Sequence, residues 1–301
     1  MERTTAKKNK YEIDMCNGTI MDKLISFSLP LMLSGILQLM FNAVDIIVVG
    51  RFSGSQALAA VGSTSALINV FTNLFIGISL GANVLTARFY AAGREKEVSE
   101  TVHTAITLAL VSGIVMALVG LVFSRGALAL MGTPDDVIEL SALYMRIYFL
   151  GMPFFMLYNY GAAILRAVGD TKRPLLFLMI AGVINACLNM VLVIVFKLGV
   201  AGVAIATVIS QMISCVLVLR CLCRSESSYR LRFSELGMKG YYLKQIFSVG
   251  VPAGIQSTVI NFSNVLLQSS VNSFGSTAMA GYTAANNLLG FLYVSVNSIT
   301  Q

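Results

Sequence analysis

Residues 24–50 read LISFSLPLMLSGILQLMFNAVDIIVVG, a run of 27 residues in which Asp45 is the one charged side chain. A helix rises 1.5 Å per residue, so about 20 residues cross the roughly 30 Å hydrocarbon core of a bilayer. The run does not alternate between apolar and polar residues as a strand of a membrane barrel does. It therefore predicts a transmembrane helix with an acidic residue near one end.

The composition of the whole chain agrees with this segment. Of 301 residues, 56% are hydrophobic and 12% are charged, and the mean hydropathy is +0.80. Soluble domains carry about twice that share of charged residues, so the composition excludes a soluble cytosolic enzyme. Five cysteines are too few, in a chain of this length, for a disulfide scaffold.

Seven further apolar stretches are long enough to cross a bilayer as helices. Together with the first stretch they predict an all-α polytopic membrane protein. Small residues at helical spacing, Gly77 with Gly81 and Gly202 with Ala206, predict places where two helices approach closely. The eight predicted spans, each taken as one continuous helix, are 24–50, 57–87, 101–123, 137–165, 175–196, 200–219, 246–272 and 276–301.

The basic residues are distributed unevenly between the two sets of loops. Seventeen lie in the N-terminal segment and in every second loop, whereas three lie in the alternate loops. By the positive-inside rule, this asymmetry places the N-terminus in the cytoplasm of a multi-pass protein of the plasma membrane. The net charge of +7 is thus a topology signal, and we expect no nucleic acid as a partner.

An internal repeat organises the predicted spans. Sliding the chain on itself by 222 residues superposes the first two spans on the last two. Because one copy contains an even number of helices, the repeat predicts two parallel lobes related by an axis along the membrane normal. The identical pairs are Ser26 and Ser248, Pro30 and Pro252, Asn42 and Asn264, Val49 and Val271, Phe52 and Phe274, and Leu67 and Leu289.

The repeat also predicts how the chain is divided. We expect a cytoplasmic tail at 1–23, a complete six-helix lobe at 24–222, a cytoplasmic linker at 223–245 and the first two helices of a second lobe at 246–301. Two whole copies need about 444 residues and twelve helices, so we expect the chain to be truncated within its second lobe.

Several short motifs occur in an order and at spacings that are specific when taken together. They are Pro30, Asp45 to Arg51 (DIIVVGR), Ala91-Ala92-Gly93, Leu165 to Asp170 (LRAVGD), Asn185 with Asn189, and Gly199 to Gly202 followed by Ala206-Thr207. With these motifs nearly the entire chain resembles the multidrug and toxic compound extrusion (MATE) transporters. The resemblance implies two six-helix bundles that export organic, often cationic compounds in exchange for protons or sodium ions, with no other cofactor.

Four residues form the predicted cation-coupling site. Asp45 is the one acidic residue well inside an apolar span, where an ionised carboxylate costs about 2.5–3.5 kcal/mol and therefore needs partners or a function. Asn189 and Thr207 are expected at the same depth, and Asn185 lies one helical turn from Asn189 on the same face. Their oxygens are hard ligands of the kind that sodium accepts, with Asp45 and Asn189 as the candidate ligands.

The coupling ion stays open between a proton and sodium at this point. A desolvated carboxylate can carry a proton, whereas converging oxygens can hold sodium. Some members of the resembled family have an aspartate at the position of Asn189, and the amide here removes one charge from the cluster. A plainer interpretation is that Asp45 faces water and that the asparagines satisfy buried backbone groups.

Side chains elsewhere are candidates for a central substrate cavity. We expect small organic compounds to bind there, in a monomer embedded in the bilayer. The alternative role for these side chains is packing between helices. The candidate cavity residues are Gln38, Met40, Asn261, Asn264 and Gln268.

Two other function classes are open on sequence alone. A flippase for lipid-linked oligosaccharides needs several inward-facing basic residues, whereas Arg146 is the one basic residue within a span and is expected to snorkel to the outer interface. An intramembrane enzyme needs a catalytic base within a span, and only Asp45 qualifies. His103, the sole histidine, is expected at a solvated helix end. We therefore expect a transporter and not an enzyme.

Overall fold

The computed structural model describes residues 19–130 and 135–272, together with Leu289 and Val296. These residues form helices and loops, and no strand occurs among them. A π-helical segment, Met190–Val195, continues the sixth helix, and a short 3-10 helix, Phe233–Glu235, precedes the last. The helices are α1 (Ile20–Phe52), α2 (Ser55–Ala91), α3 (Glu95–Leu130), α4 (Asp135–Leu150), α5 (Met152–Ala167), α6 (Lys172–Asn189), α7 (Gly199–Arg224) and α8 (Gly240–Asn272).

Six candidate membrane spans correspond to the first six predicted spans, if the bent pair of α4 and α5 counts as one. α1, α2, α3, α7 and α6 with its π-helical continuation are each long and apolar enough to cross a bilayer, and α4 with α5 meets the same criterion as one bent pair. α8 is the seventh predicted span, and its described residues fall short of that criterion. The eighth span lies outside the described residues except for Leu289 and Val296. The all-helical membrane fold is confirmed, and of the second lobe only the first helix is described.

The fourth predicted span, taken from the sequence as one continuous helix over 137–165, is wrong in one respect. The chain breaks at Gly151, and the two halves are bent by 49°. Pro153 stands in the first turn of α5, where its missing N–H needs no partner, and glycine is a poor helix former. Gly113 of α3 packs against this break, since a Cβ at Gly113 would lie 3.0 Å from the Pro153 nitrogen.

α2 lies at the centre of the bundle and packs against α3, α4, α5 and α8. The interior next to it is filled by large buried side chains of α4 and α5, such as Phe149 and Tyr160. In contrast, α3 presents Leu118 and Val122 outward, with 59% and 71% of their surface exposed. Large apolar side chains on the outer surface are typical of helices that face lipid.

α2 and α8 cross with their backbones in contact, and glycines make this crossing possible. A Cβ added to Gly77 or Gly81 would overlap the backbone of α8, at Gly254 and at the Ile246 carbonyl. On the other side, a Cβ at Gly250 would lie 2.6 Å from the Cα of Ile78. The predicted close approach at Gly77 and Gly81 is therefore found, and its partner is the matching glycine pair of α8.

The loops flanked by most of the basic residues lie together at one end of the bundle, which we call the basic end. The longest of these loops, 225–239, joins α7 to α8, and we call it the strap. Aromatic contacts hold this end together: the Phe89 ring lies 6.0 Å from that of Tyr242, and the Tyr90 ring lies 6.3 Å from that of Tyr229. α2 is thereby joined to α8 and to the strap.

His103 is not at a solvated helix end, so the expectation from the sequence is wrong. Its side chain is 4% exposed. The Nδ1–H group donates a hydrogen bond to the Ser99 carbonyl at 2.6 Å, and Nε2 accepts one from the backbone N–H of Arg232 at 3.0 Å. The physical reason is the strap, which folds back over the start of α3 and covers the imidazole.

α1 and α8, the first two helices that the repeat superposes, are similar in length and in the position of a proline. α1 and α8 each have 33 residues, and Pro30 and Pro252 stand inside them at nearly the same position. A proline inside a helix removes one backbone hydrogen bond and permits a bend. The division of the chain into two lobes stays a prediction, because most of 273–301 lies outside the described residues.

Candidate cation-coupling site

Asp45 lies two turns before the end of α1, on a helix that packs against α6. One turn earlier, the Phe41 ring lies directly against Gly182 of α6, where any Cβ would overlap it. The absence of a side chain at Gly182 lets the two helices approach closely at this level. The next turns of both helices therefore bring Asp45 next to Asn185 and Asn189.

A chain of hydrogen bonds runs through the four predicted residues. The Asn189 amide donates from Nδ2 to Asp45 Oδ1 and to Asn185 Oδ1, the latter at 3.2 Å. The Asn185 amide donates to Thr207 Oγ1 at 3.5 Å, and this hydroxyl donates to the Val203 carbonyl at 3.0 Å. Side chains of α1, α6 and α7 thus meet in one cluster, which we call the Asp45 cluster.

The Asp45 cluster is enclosed on its amide side. Asn189 has 0% and Asn185 has 5% of its surface exposed, whereas Asp45 is half-buried. The Asn189 Oδ1 atom is buried and has no hydrogen-bond donor among the described groups. A buried amide oxygen beside a carboxylate attracts a proton donor, a water molecule or a cation.

The backbone after Asn189 leaves the α-helical pattern. The π-helical segment begins at Met190, and the chain then passes through Lys197 and Gly199, both with φ of 55°. The Leu198 N–H group donates to the Leu192 carbonyl at 3.0 Å, which closes this turn before α7. π-helical segments occur often at functional sites, because they change the direction of neighbouring side chains.

Three further polar side chains belong to the surroundings of Asp45, and the sequence analysis missed them. Tyr144 and Tyr148 lie one turn apart on α4, with their rings stacked at 6.1 Å, close enough to Asp45 to interact with its charge. Gln211 of α7 lies next to the Tyr148 hydroxyl. The available signal was the i, i+4 tyrosine pair, which in an apolar helix looks like ordinary packing.

Of the five predicted cavity residues, the structure describes the side chains of two, Gln38 and Met40. Gln38 lies seven residues, or two turns, before Asp45 on the same face of α1, and its side chain is exposed. Met40 is 54% exposed and lies about 140° around the helix from Asp45, so it faces a different direction. The side chains of the other candidates, Asn261, Asn264 and Gln268, lie outside what the structure describes.

Arg146 has an exposed side chain, and its position at the outer interface of the membrane stays a prediction. It forms no ion pair with Asp45 among the described residues. In the same part of the chain, no group of three or more His, Cys, Asp or Glu side chains is placed to hold a metal ion. Sodium at this position would have to rely on one carboxylate with amide and hydroxyl oxygens.

Comparison with known proteins gives consistent results. The MatE family model matches residues 30–191, which is more than half of the chain. A probable multidrug resistance protein of Bacillus subtilis, YoeA, is 36% identical over 282 residues, covering 91% of this chain and 60% of that protein. Staphylococcus aureus MepA, a multidrug export protein, is 24% identical over 272 residues, covering 89% of this chain and 59% of that protein.

Solved structures agree on the fold. A MATE transporter crystallised in a bent conformation superposes with a TM-score of 0.86 at 22% identity, covering 94% of this chain and 63% of that one. A transporter of the MOP superfamily from Pyrococcus furiosus superposes with a TM-score of 0.89 at 22% identity, covering 98% of this chain and 65% of that one.

These comparisons fix the family. The chain spans about 60% of the length of the curated relatives that it matches. The relatives are named as multidrug resistance or export proteins and not as enzymes, as the sequence predicted. The chain therefore belongs to the MatE family.

Proposed function

We propose that the protein is a secondary active multidrug exporter that exchanges organic, often cationic compounds for protons by alternating access. Asp45 is the proton carrier. The observation that carries this proposal is the Asp45 cluster: a half-buried carboxylate in a transmembrane helix, held by the Asn189 amide of a second helix. An acid in this position needs a function or partners. The Asn189 amide, its hydrogen-bond partner, is uncharged, so the Asp45 carboxyl group can bind and release a proton.

The hydrogen-bond pattern supports a proton over sodium. Three of the cluster oxygens already accept hydrogen bonds: Asp45 Oδ1 and Asn185 Oδ1 from Asn189, and Thr207 Oγ1 from Asn185. A hard cation needs several oxygens turned toward it, and this arrangement leaves the second carboxylate oxygen of Asp45 and Asn189 Oδ1. A proton needs only the carboxylate, so sodium binding at Asp45 and Asn189 requires a rearranged cluster.

Protonation of Asp45 would change how α1 is held against α6. The ionised carboxylate accepts a charge-assisted hydrogen bond from Asn189, and such bonds are about twice as strong as neutral ones. A proton on Asp45 removes the charge and weakens this link between the two helices. If the two facing states differ in this link, proton binding and substrate binding change one another's affinity reciprocally.

The remaining features of the proposal follow from the sequence. The N-terminus lies in the cytoplasm of a plasma-membrane protein, because the basic residues collect at the basic end. Small organic substrates bind between the two lobes in a monomer, with Gln38 on the same face of α1 as Asp45. Nothing in the described residues favours the flippase for lipid-linked oligosaccharides, since Arg146 is exposed.

The direct test is transport by the full-length gene product in proteoliposomes. A fluorescent cationic dye is followed under a pH gradient alone, a sodium gradient alone, or neither. We expect dye movement under the pH gradient, abolished by a protonophore, and none under sodium. Movement driven by sodium alone would overturn the choice of ion, and movement that ignores both gradients would overturn the antiport proposal.

A second carboxylate at position 189 should change the ion preference. In Asn189→Asp, two acids lie within hydrogen-bond distance, so they cannot easily both be ionised without a cation between them. We expect sodium-driven dye movement to appear in this variant. The measurement is the initial rate against sodium concentration at constant pH.

The matched control for this prediction keeps the number of carboxylates at one. In the double variant Asp45→Asn with Asn189→Asp, the acid moves to α6, and we expect no sodium-driven transport. Equal sodium dependence in the single variant, the double variant and the parent protein would contradict the assignment of a proton to the single carboxylate.

A further inference from the structure

The second half of the strap makes polar contacts with α3, and the N–H of Leu231, earlier in the strap, donates to the Leu222 carbonyl of α7 at 3.2 Å. The backbone N–H of Arg232 donates to His103 Nε2 at 3.0 Å, and that of Lys239 donates to Thr104 Oγ1 at 3.4 Å. The Lys239 ammonium group lies 2.5 Å from Glu100 Oε1. Three residues within about one turn of α3, Glu100, His103 and Thr104, therefore anchor the middle and the end of the strap.

Glu100 connects α3 to α8 as well as to the strap. Besides the ion pair with Lys239, its carboxylate lies near enough to the Tyr242 hydroxyl, in the first turn of α8, to interact with it. Tyr242 is 7% exposed, and its ring packs edge-on against Phe89 of α2. Glu100 thus ties the start of α8 to α3, and the Tyr242 ring ties it to α2.

The glycine crossing begins one turn further along α8. Ile246 contacts Gly81 through its carbonyl, and Gly250 lies against Ile78. α8 starts one residue after Lys239, so its first turn stays tied to α3, which itself packs on α2, while Lys239 remains paired with Glu100. Opening of the basic end between α2 and α8 therefore requires release of the strap.

The strength of the strap contacts suits a contact that opens and closes. Lys239 is 57% exposed and Glu100 19%, and a cavity of about 410 Å³ lies between the strap and α3. Solvent-exposed ion pairs of this kind are individually weak, typically below about 1 kcal/mol. Several weak contacts give a closed state that can be released.

We propose that the strap is a releasable latch for the basic end, with Glu100 and His103 of α3 as its anchors. The latch is closed in this structure, and its release permits α8 to separate from α2. The inference rests on the proposed alternating access, in which the cytoplasmic side must open. His103 acts here as an acceptor for the strap backbone and not as a proton carrier.

The test measures opening directly, without substrate or ion gradient. In the full-length gene product with its native cysteines replaced by serine, Ile78→Cys places a thiol in the α2–α8 contact, where the native side chain is 5% exposed. Its labelling rate with a membrane-impermeant maleimide is compared in everted and right-side-out vesicles. Adding Glu100→Gln is expected to raise the rate in everted vesicles about fivefold, the loss of one weak ion pair.

Two further variants make the result specific. Glu97→Gln removes a carboxylate of the same turn that pairs with Arg94 and not with the strap, and the labelling rate should stay at the parent value. The charge exchange Glu100→Lys with Lys239→Glu should return the rate toward the parent value. Equal labelling in Glu100→Gln and the parent, or an equal increase in Glu97→Gln, would overturn the latch.

A cross-link separates this proposal from the transport proposal. A short flexible bismaleimide joining cysteines at positions 100 and 239 is expected to stop dye efflux, whereas the same reagent joining positions 94 and 97 is not. If efflux never occurs in any variant, the transport proposal fails while the labelling result still decides the latch. Efflux that continues with the 100–239 cross-link formed contradicts the latch alone.

Discussion

Replacing Asp45 with asparagine is expected to abolish ion-driven efflux while membrane insertion stays intact. The amide has the size of the carboxylate but cannot bind and release a proton. Loss of the charge also removes an insertion cost of about 2.5–3.5 kcal/mol, so the variant should insert at least as well as the parent protein. Dye efflux in proteoliposomes under a pH gradient should fall to the rate of empty liposomes.

The fold around position 45 should survive this substitution. The asparagine side-chain oxygen can still accept the hydrogen bond from Asn189, and Asn185 and Thr207 keep their own bonds. The loss would therefore be one of ion coupling and not of structure. Substrate binding, measured by equilibrium dialysis, should persist but lose its dependence on pH, because binding and protonation are linked through the same residue.

Asp22→Asn is the matched control for Asp45→Asn. Asp22 lies in the first turn of the same helix, is exposed, and accepts a hydrogen bond from Thr19. The same chemical change there should leave pH-driven efflux at the parent rate. Normal gradient-dependent export by Asp45→Asn would remove Asp45 from the mechanism, whatever the control does.

The sequence predicts most of the membrane architecture because hydrocarbon imposes strong local constraints. Backbone groups in a bilayer must be satisfied within the segment, so a long apolar run such as 24–50 has one structural outcome, a helix. The break at Gly151 is different. Pro153 can either start a helix or bend one, and packing against Gly113 of α3, which is distant in sequence, decides between the two.

Some residues of the candidate site could likewise be predicted from the sequence, and others could not. Asp45, Asn185, Asn189 and Thr207 could be found because each is polar within an apolar span and the helical period gives its depth and face. Tyr144 could not, because a tyrosine in a membrane helix has many packing roles. His103 illustrates the general limit, since its burial depends on a strap 129 residues away along the chain.

The partner of the glycines on α2 could not be predicted either. The spacing of Gly77 and Gly81 indicates a close approach but does not identify the other helix. Only the structure shows Gly250 and Gly254 opposite them. This contact also differs from ordinary core packing, because backbone faces backbone and no side chain can rotate away to accommodate an added atom.

Gly81→Ala is accordingly expected to prevent closure of the basic end. The added Cβ would overlap the Ile246 carbonyl and lie 2.9 Å from the Gly250 nitrogen, so α8 must move away from α2. Overpacking of this kind costs about 1–3 kcal/mol, and a rigid backbone partner places the cost at the upper end. We expect a lower melting temperature, faster labelling of Ile78→Cys from the cytoplasmic side, and loss of efflux.

Gly126→Ala is the matched control for Gly81→Ala, and we expect it to have the opposite effect on stability. Gly126 lies in α3 with nothing within 4 Å of an added Cβ, and its position is exposed. Alanine is the better helix former by about 1 kcal/mol, so this variant should melt at the parent temperature or above. If Gly81→Ala behaves like Gly126→Ala in melting, labelling and efflux, then α2 and α8 do not form the tight closed contact on which the latch depends.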